Sequence, residues 1–416
     1  MADAPGRSRR ARLVILSEFV DAVQNSTGYY WSKIIDGLAL EFEEICVICP
    51  RSSYLKVAAP RANVTYLTFP DRAFDKNKLA SRLLGQLSQT LHFCKALLVH
   101  VGRQDVVFSG TNPALTLLFT AVIKRIRGFK WMILVHDVFP ENLVAARIIR
   151  TQSLSFRVLK WAFDRAYLSA DTLIAIGRDM LELLKHKTGA QARIVYIPNW
   201  VDPGDVPAQP RGISPLFEGR LWQDKVVFQY FGNFGRVQGI PNLLQALRWV
   251  KNPRAAFIFI GSGSMEPAIS RFMEQNPSID LIRKPALAMA DTNMGLRACD
   301  VAIVPLAKDV KGLAVPSKAY FSLAADKPIL VVSDEGSELQ LLLSEEPAIG
   351  WFCKAESPNA LAELIDSICD VRLDGLLGKP RSVLLAKYAY ANSVRQYSQC
   401  VMQLGLPLYR GNDVDG

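Results

Sequence analysis

Long apolar runs, clustered cysteines and histidines are all scarce in this sequence, and each shortage removes a class of protein. No stretch reaches the roughly 18 uncharged apolar residues of a membrane-spanning helix. The richest, Pro113 to Ile123, runs into Lys124, Arg125 and Arg127. The basic segment Met1 to Arg12 is not followed by the apolar stretch and small-residue cleavage site of a signal peptide, so a cytoplasmic protein is expected. The 7 cysteines are scattered and odd in number, which argues against a disulfide framework. Cys46 and Cys49 do form a C-x-x-C, but it lies within the apolar run Glu44 to Pro50. Residues three apart on a strand face opposite ways, and no second pair completes a zinc site. Both cysteines read as small core hydrophobes. No metal-ligand cluster is legible, and Asp413-Val-Asp415 falls in the C-terminal tail rather than a cleft. Neither a metal nor a resident cofactor is expected.

What is present suits a globular α/β protein. The 416 residues exceed one ordinary core, and half are hydrophobic with 21% charged. The net charge of +10 is uneven: residues 1–200 hold 27 Lys and Arg against 16 Asp and Glu, and residues 201–416 hold 22 against 23. A basic first half suits a phosphorylated acceptor or an anionic membrane surface. Charge alone would also admit nucleic acid, but no recognition motif or aromatic-basic stacking pattern accompanies it, so no nucleic-acid partner is expected.

Both halves alternate apolar strands with amphipathic helices, which predicts parallel sheets covered on both faces. Strands are expected at 11–16, 45–48, 64–67, 105–108, 131–135, 172–176 and 194–197, with helices at 30–43, 78–98, 113–127 and 154–170. Pro198 to Arg220 interrupts the pattern with Pro203, Pro207, Pro210 and Pro215 plus three glycines, marking a linker. Strands then resume at 226–230, 256–260, 301–304 and 329–332, with helices at 240–250, 317–325 and 380–403. The expected architecture is two Rossmann-like domains facing across a cleft. Residues 1–200 are expected to form the first domain and residues 201–384 the second, with a C-terminal helix at 385–416 packing back on the first.

Three segments of the second half suit a phosphate. Gly232-Asn-Phe-Gly-Arg-Val-Gln-Gly239 joins a strand to a helix, where glycines let the backbone approach an anion and a helix N-terminus adds positive charge. No Gly-Lys-Ser/Thr follows, so it is not a Walker loop. Gly261-Ser-Gly263-Ser264 stands at the next strand end, the edge where ligands of such sheets bind. Pro316-Ser317-Lys318-Ala-Tyr320 opens a helix, with Ser317 expected as its N-cap and Lys318 near the free amides. In the first half, His136-Asp137 closes a strand, where a histidine can contact a sugar hydroxyl. Asn25-Ser-Thr-Gly28 is a fainter candidate for amides facing the cleft.

Taken in order, these segments resemble the family-4 retaining glycosyltransferases of the GT-B fold, and within them the bacterial surface-polysaccharide branch. The resemblance rests on Gly232 to Gly239, His136-Asp-Val-Phe-Pro-Glu141, Pro316 to Tyr320 with Leu323-Ala-Ala-Asp-Lys-Pro328, and Ile197-Pro-Asn-Trp-Val-Asp202, and spans about residues 13 to 400. It implies a nucleotide-diphosphate sugar as co-substrate, a glycan or lipid-linked acceptor, retention of anomeric configuration and no metal. His136 and Asp137 would be catalytic. The donor would be held by Gly28, Gly232, Asn233, Arg236, Gln238, Gly261, Gly263, Arg283, Pro316, Ser317, Lys318 and Tyr320. Two departures stand out. Asn233 and Gln238 occupy positions where the wider family has Arg and Lys, and Leu313 and Phe321 occupy those of its two glutamates. Two alternatives remain: a non-catalytic sugar-nucleotide or membrane-surface binding homologue, and an epimerase or hydrolase on the same fold.

Overall fold

A computed structural model describes residues 11–55, 57, 60–71, 79–212 and 214–409. Its first sheet has seven strands: β1 (Leu13–Leu16), β2 (Ile45–Pro50), β3 (Val64–Phe69), β4 (Val106–Ser109), β5 (Lys130–Val135), β6 (Thr172–Ala175) and β7 (Ile194–Tyr196). They lie in the order β3-β2-β1-β4-β5-β6-β7, and every pairing is parallel. The second sheet comprises β8 (Val226–Phe231), β9 (Ala255–Ile260), β10 (Leu281–Lys284), β11 (Val301–Pro305), β12 (Ile329–Ser333) and β13 (Gly350–Lys354). Its order is β10-β9-β8-β11-β12-β13, again parallel.

Central strands covered on both faces are unbroken apolar runs, because neither face meets water. Leu13-Val-Ile-Leu16 and Ala255-Ala-Phe-Ile-Phe-Ile260 are buried throughout. Cys46 and Cys49 lie fully buried in β2, with burial raising their thiols to about 11 and about 12. The sequence had shown neither β10 nor β13. Both are edge strands, and Leu281-Ile-Arg-Lys284 carries too few apolar residues to announce itself.

Right-handed crossovers decide which face each helix covers. Helices Leu79–His100, Ala114–Arg127 and Leu154–Ser169 lie side by side on one face of the first sheet. Helix Ser26–Leu38 lies on the other, against helix Tyr390–Gln403. The sequence suggested one helix over 380–403, but the chain forms two, Lys379–Lys387 and Tyr390–Gln403. Ala389 between them is extended and bridges to Val201, which interrupts the helix.

The proline-rich connection is tied down on both sides. Lys33 reaches Asp202 and Asp205 at 2.8 Å each, and Arg381 donates to the carbonyls of Pro203 and Val206. Trp200 sits among Tyr29, Tyr30 and Tyr390. One buried apolar cluster runs from the first sheet into the helix Ser317–Ala324 of the second half. Among the described residues no helix is long and apolar enough to cross a membrane. Asp413 and Asp415 lie outside the described residues.

Candidate functional site

Each sheet reverses its strand order once, between β1 and β4 and between β8 and β11, and ligands of open α/β sheets bind at that reversal. The Gly232 turn leaves β8 there. It interlocks with the turn that leaves β9: Gly232 N donates to Ile260 O at 2.9 Å, Phe234 N to Ser262 O at 2.8 Å, and Met265 N to Phe234 O at 2.9 Å. Gly232 and Gly261 take φ of 141° and 153°, which side chains rarely adopt. A Cβ on Gly261 would also collide with the carbonyl of Gly232. The two turns therefore form one backbone-lined shelf.

Lys318 closes one side of the shelf. From the first turn of its helix its Nζ donates to Gln238 Oε1 at 2.7 Å and to Tyr230 Oη at 3.0 Å, and lies 4.1 Å from the centre of the Tyr230 ring. Tyr230 Oη in turn donates to the carbonyl of Asn233 at 2.6 Å. Burial lowers the Lys318 ammonium to about 7, since desolvation disfavours its charge. A bound phosphate would reverse that cost. Arg236, on the short turn Arg236–Gln238, is exposed and makes no ion pair among the described residues. The amides of Gly232 and Gly261 are spent on Ile260 O and Lys284 O, so the anion seat rests on an ammonium with no acid beside it and a free guanidinium, with the side-chain-free glycines leaving the backbone open to close approach.

Other donor-side candidates sit differently. Pro316, not Ser317, is the N-cap, and Ser317 is the first helical residue with no side-chain cap bond, so the serine hydroxyl is not committed to the helix end. Arg283 pairs with Glu266 at 3.1 Å, and the same carboxylate accepts from Gly263 N at 2.7 Å. That amide and that cation are therefore engaged with each other's partner rather than open to a diphosphate. Tyr320 is fully buried, edge-on to Tyr388 at 5.1 Å, which removes it from contact with a donor. Gly28 is needed because a Cβ there would strike the carbonyl of Asp21, and its amide is spent on the Asn25 cap at 2.9 Å. Leu313 and Phe321, at the glutamate positions of the wider family, are buried between the two halves. Leu313 O accepts from Val138 N at 3.0 Å, and Phe321 packs on Tyr29 at 5.1 Å.

The opposite lip is the end of β5. His136 Nε2 is buried without a partner, and its ring lies 6.3 Å from that of Tyr30. Desolvation lowers this imidazole to about 4, so it is neutral near pH 7. The resemblance implied that Asp137 is catalytic, orienting His136 or the acceptor; no hydrogen bond joins it to His136 among the described residues. Instead Asn142 at 3.0 Å and Asn112 at 3.4 Å hold the Asp137 carboxylate, and burial raises its pKa against those bonds. The Asp137 backbone bridges Ala314 of the second half, two residues before Pro316. His136 and the anion seat are thus stitched to one another through main chain.

Contacts invisible in the sequence clasp the halves beside this site. Glu338, fully buried, accepts from Arg178 N at 2.6 Å, from Arg178 Nε at 3.0 Å and from Tyr196 Oη at 2.7 Å. Gly312 N donates to Asp179 Oδ2 at 2.9 Å, and Asn199 Nδ2 to Val315 O at 3.2 Å. Nothing in the spacing of these residues marks them as partners. Among the described residues no group of three or more metal-ligating side chains converges.

The two-sheet fold agrees with the relatives of the chain. The Glycosyl transferase 4-like domain family matches residues 27–200. The probable glycosyltransferase WbjE of Pseudomonas aeruginosa is 44% identical over 396 residues, covering 95% of this chain and 98% of that protein. Among solved structures, Anabaena HepE in complex with UDP-glucose superposes with a TM-score of 0.69 at 15% identity, over 95% of this chain and 100% of that one. WaaG, a glycosyltransferase involved in lipopolysaccharide biosynthesis, gives 0.62 at 13% identity, over 95% and 97%. Those two likenesses speak for the two-domain GT-B fold. Joined to the near full-length match with WbjE, they leave one conclusion: the chain belongs to the family-4 glycosyltransferases of the GT-B fold.

Proposed function

We propose that this glycosyltransferase takes a sugar from a nucleotide-diphosphate donor to a glycan or lipid-linked acceptor, with retention and without a metal, in polysaccharide or glycoconjugate biosynthesis in the cytoplasm. The observation that carries the proposal is the seat formed by Lys318, Gln238 and the Gly232 turn opposite the unpartnered His136 Nε2. Negative charge grows on the leaving diphosphate as the glycosidic bond breaks, and prearranged amides and cations meet it there. Lys318, Arg236 and the helix end at Pro316 supply that charge from the chain itself. Neutral His136 can exchange a hydrogen bond with a hydroxyl of the transferred sugar. Asp137, fixed by its two asparagines, holds the β5 end in place. HepE in complex with UDP-glucose supports a nucleotide-sugar donor, and WaaG supports a role in glycoconjugate synthesis.

The test is release of nucleotide diphosphate from a donor panel in excess chelator, with the anomeric configuration of the product read by NMR. Retained configuration and turnover undiminished by chelator support the proposal. Inversion, or loss of turnover on chelation, contradicts it.

A further inference from the structure

The layer formed by helices Leu79–His100, Ala114–Arg127 and Leu154–Ser169 is apolar on both sides. Its inner side covers the first sheet. Its outer side repeats the pattern: Leu84, Leu87, Leu91 and Leu98 on the first helix are spaced by three, four and seven residues and all exposed. Phe119, Val122 and Ile126 do the same on the second helix. Leu154, Val158, Trp161 and Leu168 do so on the third, with Leu154 73% and Trp161 61% exposed. A helix with only one buried face needs one stripe, so a second stripe on each of three neighbours is surplus to the fold. Counting Val99 and Ile148, which follows shortly after in the chain from the cleft rim, these segments hold 13 of the 24 exposed large hydrophobics among the described residues, a concentration rather than scatter.

The charge on the same layer identifies the occupant. Lys95, Arg125, Arg147, Arg150, Arg157 and Arg165 are exposed and have no acidic partner among the described residues. The acids on these elements, Glu141 and Asp164, are already paired with Lys160 and Lys187. A second copy seated on this face would set cation against cation around its apolar centre. An anionic bilayer satisfies both features, taking the leucines and Trp161 into the acyl boundary while the arginines meet lipid phosphates. Arg165 stacking on Trp161 at 5.0 Å places both kinds of group at one spot.

We infer that this three-helix layer is a docking surface for an anionic lipid bilayer, and that it presents the cleft to an acceptor held in that bilayer. The segment from His136 through the helix Glu141–Ala145 leads directly to Arg147, Ile148 and Arg150, so the cleft rim and the docking face are continuous. The docking surface follows from these side chains alone; its use for acceptor delivery rests on the transferase proposal.

The test is flotation of the full chain with vesicles of phosphatidylcholine alone, or containing about a third phosphatidylglycerol, at low and high salt. Binding is expected to the anionic vesicles and to weaken with salt. R157E/R165E and V122S/V158S/W161S, all surface changes, should each weaken it at least about tenfold with an unchanged melting temperature. Equal binding to both vesicle types, no binding, or variants that bind like the wild type would overturn the inference. So would sedimentation showing a dimer that the triple variant dissociates, because the face would then be a self-association surface. The melting response to nucleotides, taken without vesicles on the same samples, reports on the transferase proposal separately.

Discussion

Lys318 donates to Gln238 across the mouth of the Gly232 turn at 2.7 Å, and this bond joins the helix Ser317–Ala324 to the phosphate-loop candidate. The pair holds a partly buried ammonium with only neutral acceptors around it, Gln238 and Tyr230. Such an ammonium is costly while the site is empty and relieved when an anion arrives. On the transferase proposal, this seat is where the donor diphosphate would complete an interaction that the fold itself leaves open.

Lys318→Met keeps the length of the side chain and removes its charge. A hydrogen bond to a charged group contributes about 1.5–3 kcal/mol, so nucleotide diphosphate should bind roughly 10- to 150-fold more weakly. Isothermal titration against the wild type measures it. Unchanged affinity would mean the diphosphate sits elsewhere.

The same lysine predicts a proton linkage. Its free-site value of about 7 lies below the ordinary lysine value, so above pH 7 it is mostly neutral and must gain a proton to pair with a diphosphate. Nucleotide binding near pH 8 should take up protons, visible as a dependence of titration heat on the buffer's ionisation enthalpy. Lys318→Met should abolish the uptake. For stability alone the sign is opposite: between pH 7 and the unfolded value the unfolded chain binds more protons, so this group's contribution to the empty protein improves as pH rises.

His136 gives a pH signature of its own. The folded value is about 4 and the unfolded value near 6.5, so the unfolded state binds the extra proton between them. Its contribution to stability is full above about pH 6.5 and is lost as pH falls toward 4. His136→Gln should flatten that part of the melting-temperature profile and lower turnover by about 100-fold with donor binding kept. Full turnover in a folded variant would remove His136 from the chemistry.

Glu338→Gln tests the clasp between the halves. The buried carboxylate accepts three hydrogen bonds, two of them from Arg178, whose guanidinium is partly exposed. Its neutral replacement should cost about 1–3 kcal/mol and lower the melting temperature by several degrees. No change in a thermal scan would show that the clasp adds nothing.

Much of this was legible because local chemistry decides it. Strands buried on both faces announce themselves as apolar runs, and glycine turns at strand ends mark the phosphate side. Edge strands such as β10 did not, since half of Leu281–Lys284 is cationic. Tyr320 looked like a ligand because spacing alone cannot say which side of a short helix faces the core; tertiary packing turns it onto Tyr388. Arg283 looked free because its partner Glu266 lies 17 residues away on another element. The outer stripes of the three-helix layer were hidden for a related reason: an apolar residue reads as core until the sheet shows which face is already covered.

The most direct measurement is the melting temperature of the purified chain, and of its Lys318→Met variant, with UDP, GDP, ADP, CMP and their sugar conjugates. A ligand at about 100 times its dissociation constant should stabilise the wild type by roughly 2.7 kcal/mol, a shift of several degrees. The transferase account predicts that one nucleotide diphosphate and its sugar conjugate give that shift and that the variant loses it. A wild type that responds to none of them, or a variant that responds equally, would contradict it.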